Sequence, residues 1–151
     1  MIESARGVGA SAVRRDLGTP ETNDSPSNGA ASVLVIDDDE DIRFTIASVL
    51  EEAGFLVAVA SGARQALDYL RTAPLPELIL LDLSMPDMDG AGFRSEQQKD
   101  PAHGAIPTLV LTAAAYPAAR IAPLEVEGYL AKPVDLDRLI DTVGRYCPRR
   151  R

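Results

Sequence analysis

Cysteine and lysine are nearly missing from this chain of 151 residues, and so is any long apolar run. Cys147 is the one cysteine, so no internal disulfide can form; this suits a reducing compartment, and Cys147 reads as a thiol at the edge of a core. No stretch approaches the roughly 20 apolar residues that cross a bilayer. Arg6, Arg14 and Arg15 are not followed by the apolar segment of a secretory signal. No membrane association is expected, and the expected location is the cytoplasm. Internal repeats are also absent.

Basic charge is the next shortage. The net charge is −8. From Ser32 onward 12 basic side chains face 19 acidic ones, a balance of −7, so nucleic acid is not an expected partner. Arg149-Arg150-Arg151 is the exception and reads as a solubilising basic tail over 148–151. With 46% hydrophobic and 25% charged residues, the remainder has the composition of one globular domain.

Residues 1–31 are rich in Gly, Ser, Ala, Pro and Asn without a sustained apolar period, which predicts a disordered leader. From Ser32 short apolar runs alternate with amphipathic stretches, the pattern of an α/β fold around a parallel sheet. Strands are expected at Val33–Ile36, Phe55–Ala60, Leu78–Leu81, Thr108–Leu111 and Gly128–Leu130. The first helix carries Ile42, Ile46, Val49, Leu50 and Ala53 on one face and ends at Gly54. Ser61 is placed to cap the second helix and Asp135 the last, whose inward residues are Leu136, Leu139, Ile140 and Val143. The third helix, around Phe93–Lys99, is unusually polar, so its packing is expected to be loose. Pro117 and Pro123 limit any helix between them to a turn or two.

In such a sheet, the carboxyl ends of the strands collect Asp37, Asp38, Asp82, Thr112 and Lys132 in one crevice. Carboxylates so close repel one another and must bind protons or a cation. A hard divalent ion such as Mg²⁺ suits Asp38, Asp82 and a nearby backbone carbonyl, with Asp37 holding a metal water. A carboxylate in this setting can attack a phosphoryl group, and Asp82, ending the most apolar strand, is the expected nucleophile. Lys132, one of two lysines beside 13 arginines, would supply a compact fixed charge, and Thr112 a hydroxyl donor. Taken singly each element has a plainer reading: Asp37–Asp41 as acids at a helix N-terminus, Asp82 as a turn residue, Thr112 as strand filler. Their coincidence at strand ends is what carries weight.

Through VLVIDDDEDIR, LILLDLSMPDMDG, IPTLVLTAAA and GYLAKPVDLDRL, residues 32–147 closely resemble the receiver domain of bacterial response regulators. The resemblance implies a doubly wound, five-stranded parallel sheet of flavodoxin-like order 2-1-3-4-5 with helices on both faces. It implies an acidic pair at Asp37 and Asp38, a phosphoacceptor at Asp82, a hydroxyl switch at Thr112 and a lysine at Lys132. It further implies that the Ser84 main-chain carbonyl binds Mg²⁺, that Lys132-Pro133 is cis, and that Tyr129 is a rotating switch aromatic; a surface tyrosine is the alternative for Tyr129. The expected partners are a sensor histidine kinase or phosphotransfer protein and a downstream protein target, with a homodimer left open. His103, in a polar loop, is expected to be exposed and not a phosphoryl donor. A stand-alone receiver, not an enzyme beyond its own phosphoryl transfer and hydrolysis, is the leading expectation. The alternatives are an unphosphorylated receiver-like binding module and a small Mg²⁺-dependent aspartyl phosphohydrolase using Asp37-Asp38-Asp39.

Overall fold

The computed structural model describes residues 15–16, 31–113 and 118–147. In chain order the elements are β1 (Arg15–Asp16), β2 (Val33–Ile36), α1 (Glu40–Glu52), β3 (Val57–Ala60), α2 (Ala63–Thr72) and β4 (Leu78–Asp82). They continue with α3 (Gly90–Gln98), α4 (Pro101–Gly104), β5 (Thr108–Ala113), α5 (Ala118–Ile121), a 3-10 turn (Ala122–Leu124), β6 (Gly128–Lys132) and α6 (Leu136–Tyr146). The sheet is entirely parallel, in the order β1-β3-β2-β4-β5-β6. Its five longer strands have the expected order 2-1-3-4-5, with helices on both faces.

Burial on both faces explains why the strands are continuous apolar runs. Leu34, Ile36, Ala58, Ala60, Ile79, Leu81 and Val110 face one layer, where they meet Ala63, Ala66 and Leu70 of α2 and Phe93 of α3. Val33, Val35, Val57, Leu78, Leu80, Leu109 and Leu111 face the other, against Ile46 and Leu50 of α1 and Leu139 and Val143 of α6. The side-chain period of two makes this register hard to slip, because a shift of one residue would exchange the two layers. At the end of α1, Gly54 adopts φ 102. Its N–H donates to Glu51 O and that of Phe55 to Leu50 O, a closing pattern that needs a left-handed residue.

Several expectations are corrected. The leader was expected to be without structure, yet Arg15–Asp16 pairs with Ala58 and Val59 on the outer edge of β3, where unpaired backbone groups would otherwise face solvent. Ala31, also assigned to the leader, is buried in the core. The other leader residues and the basic tail at 148–151 lie outside the described residues, as do Ala114 and Pro117. Strand β3 begins two residues later than the apolar run. Ser61 does not cap α2; the N-cap is Gly62, which has no side chain to offer.

Helix α3 starts at Gly90, capped by the Asp89 carboxylate on Gly92 N–H, and is not loosely held. Its Arg94 is buried, donating from Nε to Leu124 O at 2.8 Å and from Nη2 to Glu125 O at 2.7 Å. Gln97, also buried, donates to His103 O at 2.8 Å. These hydrogen bonds replace the apolar anchors that the sequence lacks there. The short α4, capped by Asp100, was not foreseen. It half-buries His103, expected to be exposed, to 14% side-chain exposure.

Candidate functional site

Strand register determines which side chains meet. Ile36 pairs with Leu81 in neighbouring β2 and β4, so the next residues, Asp37 and Asp82, emerge together at the carboxyl end. On the far side β6 ends at Lys132, opposite Ala113 of β5. Lys132 reaches back across this end: its Nζ lies 3.1 Å from Asp37 Oδ2 and 3.2 Å from Asp82 Oδ1. Asp37 is fully buried and Asp82 nearly so, whereas Asp38 is exposed at the rim. One carboxylate oxygen from each of Asp37, Asp38 and Asp82 falls within 4.8 Å of the others.

Main-chain donors hold the carboxylates in place. Asp37 Oδ1 accepts from Asp39 N–H at 2.9 Å, and its carbonyl accepts from Arg43 Nη1 at 2.8 Å. Asp82 Oδ1 accepts from Ser84 N–H at 3.3 Å. Asp39 itself caps α1 on Ile42 N–H, so the acidic run serves both the helix end and the crevice. Thr112 is buried, and its Oγ1 donates to Ala113 O at 3.1 Å. Tyr129 points outward, 56% exposed. The Lys132-Pro133 peptide is cis.

The electrostatics follow from this crowding. Burial first, and then repulsion from Asp37, pushes the Asp82 carboxyl from its ordinary 3.8 up to about 6. Lys132 and the Ser84 N–H oppose that rise without cancelling it. For Lys132, burial disfavours the charge, but Asp37 and Asp82 outweigh it and hold the ammonium above its ordinary value. Three carboxylates against one ammonium leave two negative charges uncompensated.

Residues 33–144 match the sequence model of the response regulator receiver domain. The chain is a member of that family. A 14.6 kDa protein of Leptolyngbya boryana is 39% identical over 117 residues, covering 76% of this chain and 88% of that one. The response regulator Rre1 of Synechocystis is 34% identical over 111 residues, 72% of this chain but 48% of Rre1. The C4-dicarboxylate transport transcriptional regulatory protein DctD of Rhizobium meliloti is 35% identical over 135 residues, 82% of this chain and 27% of DctD. The receiver thus spans less than half the length of these two regulators. Among solved structures, the chemotaxis response regulator CheY4 of Vibrio cholerae aligns with a TM-score of 0.70 at 29% identity, covering 78% of this chain and 98% of CheY4. A response regulator receiver protein from Pseudomonas putida aligns at 0.71 and 27% identity, covering 77% and 97%.

Receiver domains bind Mg²⁺ at an acidic pocket, and the residues of this receiver fit such an ion. The donor set is all oxygen, and its surplus of two negative charges matches a divalent cation. Among the described residues, no helix is long and apolar enough to cross a membrane.

Sequence reasoning assembled Asp37, Asp38, Asp82 and Lys132 correctly in space. It missed Arg43, whose contact with the Asp37 carbonyl could have been suspected from its position one turn into α1. It also missed Asp87, whose carboxylate oxygens accept from Ala63 N–H at 3.4 Å and Arg64 N–H at 3.1 Å. No local signal marks a cap supplied from 24 residues away. Arg120, likewise unforeseen, faces Ser84, Pro86 and Asp89 across an open cleft.

Proposed function

We propose that this receiver takes a phosphoryl group onto Asp82 from a phosphohistidine of a partner kinase or phosphotransfer protein. A carboxylate oxygen of Asp82 forms the new bond to phosphorus as the bond to the imidazole nitrogen breaks, and the imidazole leaves with the electron pair. The observation that carries this reading is the Asp82 carboxylate, set 3.2 Å from Lys132 Nζ and within 4.8 Å of the Asp37–Asp38 pair. Lys132 offsets the charge of the transferring oxygens without having to move far. Asp38 and Asp82, with the Ser84 carbonyl, would hold Mg²⁺ directly, and Asp37 through a water. The ion's contribution is to offset charge on the phosphoryl oxygens and orient them.

Once Asp82 is modified, Thr112 exchanges its bond to Ala113 O for a phosphoryl oxygen, and Tyr129 turns inward from its exposed position. This is a population shift, because the phosphoryl group contacts the two states differently. The changed surface is then read by a downstream protein. Phosphoryl transfer and its hydrolysis are both self-catalysed and both pass through the single adduct on Asp82.

Intact-mass spectrometry tests the proposal. With Mg²⁺ and a small phosphodonor the wild type should gain one labile phosphoryl group, and Asp82→Asn none. Absence of the adduct in the wild type favours a binding module that is never modified. Phosphate release that continues undiminished in Asp82→Asn would point instead to a phosphohydrolase acting through Asp37-Asp38-Asp39.

A further inference from the structure

The loop that follows Asp82 is fastened at two places. At its base Gly90 N–H donates to Leu83 O at 3.0 Å, so residues 83–90 form a closed loop. A Cβ at Gly90 would come within 2.8 Å of Leu83 Cα, which shows how tightly that base is drawn. At the far end Asp87 reaches over to α2, where its two carboxylate oxygens accept from Ala63 and Arg64 N–H. Helix α2 has no cap of its own, since Gly62 carries no side chain. A Cβ at position 62 would lie 3.0 Å from both Asp87 oxygens, so the glycine keeps the space that this carboxylate uses.

Ser84 sits between the two fastenings, and its N–H bonds to the Asp82 carboxylate. We propose that Asp87 is a positioning residue: by latching the loop to the first turn of α2, it sets the place of Ser84 beside Asp82 and thereby how well the crevice holds a divalent cation. This rests on the reading above, in which that crevice binds Mg²⁺. The coupling is reciprocal, so an ion in the crevice also steadies the first turn of α2. Burial would raise the Asp87 carboxyl, but the backbone N–H groups of Arg64 and Ala63, together with those of Asp87 and Met88 in its own loop, outweigh it and hold the group below its ordinary value. The side chain is therefore an ionised acceptor at the positive end of a helix.

Mg²⁺ titration of the full chain by calorimetry near neutral pH tests the latch. Asp87→Ala should weaken Mg²⁺ binding about fivefold, a coupling of ordinary size. Asp87→Asn, which keeps an acceptor at a position where Asn and Asp cap equally well, should stay within about twofold of the wild type. Gln65→Ala is the control: it removes the 2.7 Å bond from Ser61 N–H to Gln65 Oε1 in the same turn without touching the loop, and should leave Mg²⁺ affinity unchanged. Hydrogen exchange supplies a second readout: Mg²⁺ should slow exchange at the Ala63 and Arg64 amides in the wild type and not in Asp87→Ala. If the wild type binds Mg²⁺ and Asp87→Ala binds it equally well, or Gln65→Ala loses as much, the latch is overturned while the site stands. A wild type that binds no Mg²⁺ overturns the acidic-crevice reading and the latch with it.

Discussion

Replacing Asp82 by asparagine should make the ion-free protein more stable, although it removes the residue on which the proposed function depends. The folded protein holds this carboxyl at about 6, against an ordinary 3.8, because the side chain is buried beside Asp37. Between those two values the folded state keeps a proton that the unfolded chain has released, so stability falls as pH rises through the window. Above about pH 6 the full penalty is present, and below about 3.8 it is absent. A difference of about two units corresponds to about 3 kcal/mol at 1.36 kcal/mol per unit. Asparagine has nearly the same shape, cannot ionise, and keeps an oxygen for Lys132 and the Ser84 N–H. Urea unfolding followed by circular dichroism, with EDTA, should therefore show a stabilisation of up to about 3 kcal/mol at pH 7.5 that shrinks towards zero near pH 3.5. Mg²⁺ should reverse the comparison in part, since it stabilises the state that binds it and Asp82→Asn has lost a ligand. A variant less stable than wild type at pH 7.5 in EDTA, or a gain that persists undiminished at pH 3.5, would refute the electrostatic argument.

Lys132→Ala leaves buried Asp37 and Asp82 without their ammonium and should cost about 3 kcal/mol, a loss read by the same unfolding assay. The adduct on Asp82 should also form at least tenfold more slowly by intact mass, about 1.4 kcal/mol of lost charge stabilisation. Leu80→Ala, emptying a fully buried site in the central strand, should cost about 2–5 kcal/mol in urea while the folded variant still accepts one phosphoryl group. Arg94→Met removes the donors to Leu124 and Glu125 carbonyls and should cost about 2 kcal/mol, with faster hydrogen exchange across the turn before β6; unchanged exchange there would show that the clamp is redundant.

The sheet was legible because its strands are buried on both faces and each announces itself as an uninterrupted apolar run, LILLD most plainly. Once those runs were parallel, the crevice followed, since Asp37, Asp82 and Lys132 each stand at the last position of a strand or one beyond it. What escaped was non-local. Ser61 satisfies every local rule for a cap, yet Asp87 takes the role from another loop, which no window around residue 61 could reveal. The polar face of α3 was read as weakness because Arg94 and Gln97 look like surface residues until their carbonyl acceptors at Leu124, Glu125 and His103 are known. The pairing of Arg15–Asp16 escaped for a related reason: two residues carry no alternation to detect.

The bond between Lys132 and Asp37 joins positions 95 residues apart, near opposite ends of the span 31–147. A nascent chain cannot bring the Lys132 ammonium to Asp37 and Asp82 until β6 has docked, and a mature one loses that charge if this edge strand peels away. Under the proposed function, phosphoryl acceptance is thereby tied to completed folding: a copy whose β6 has not docked accepts the group more slowly.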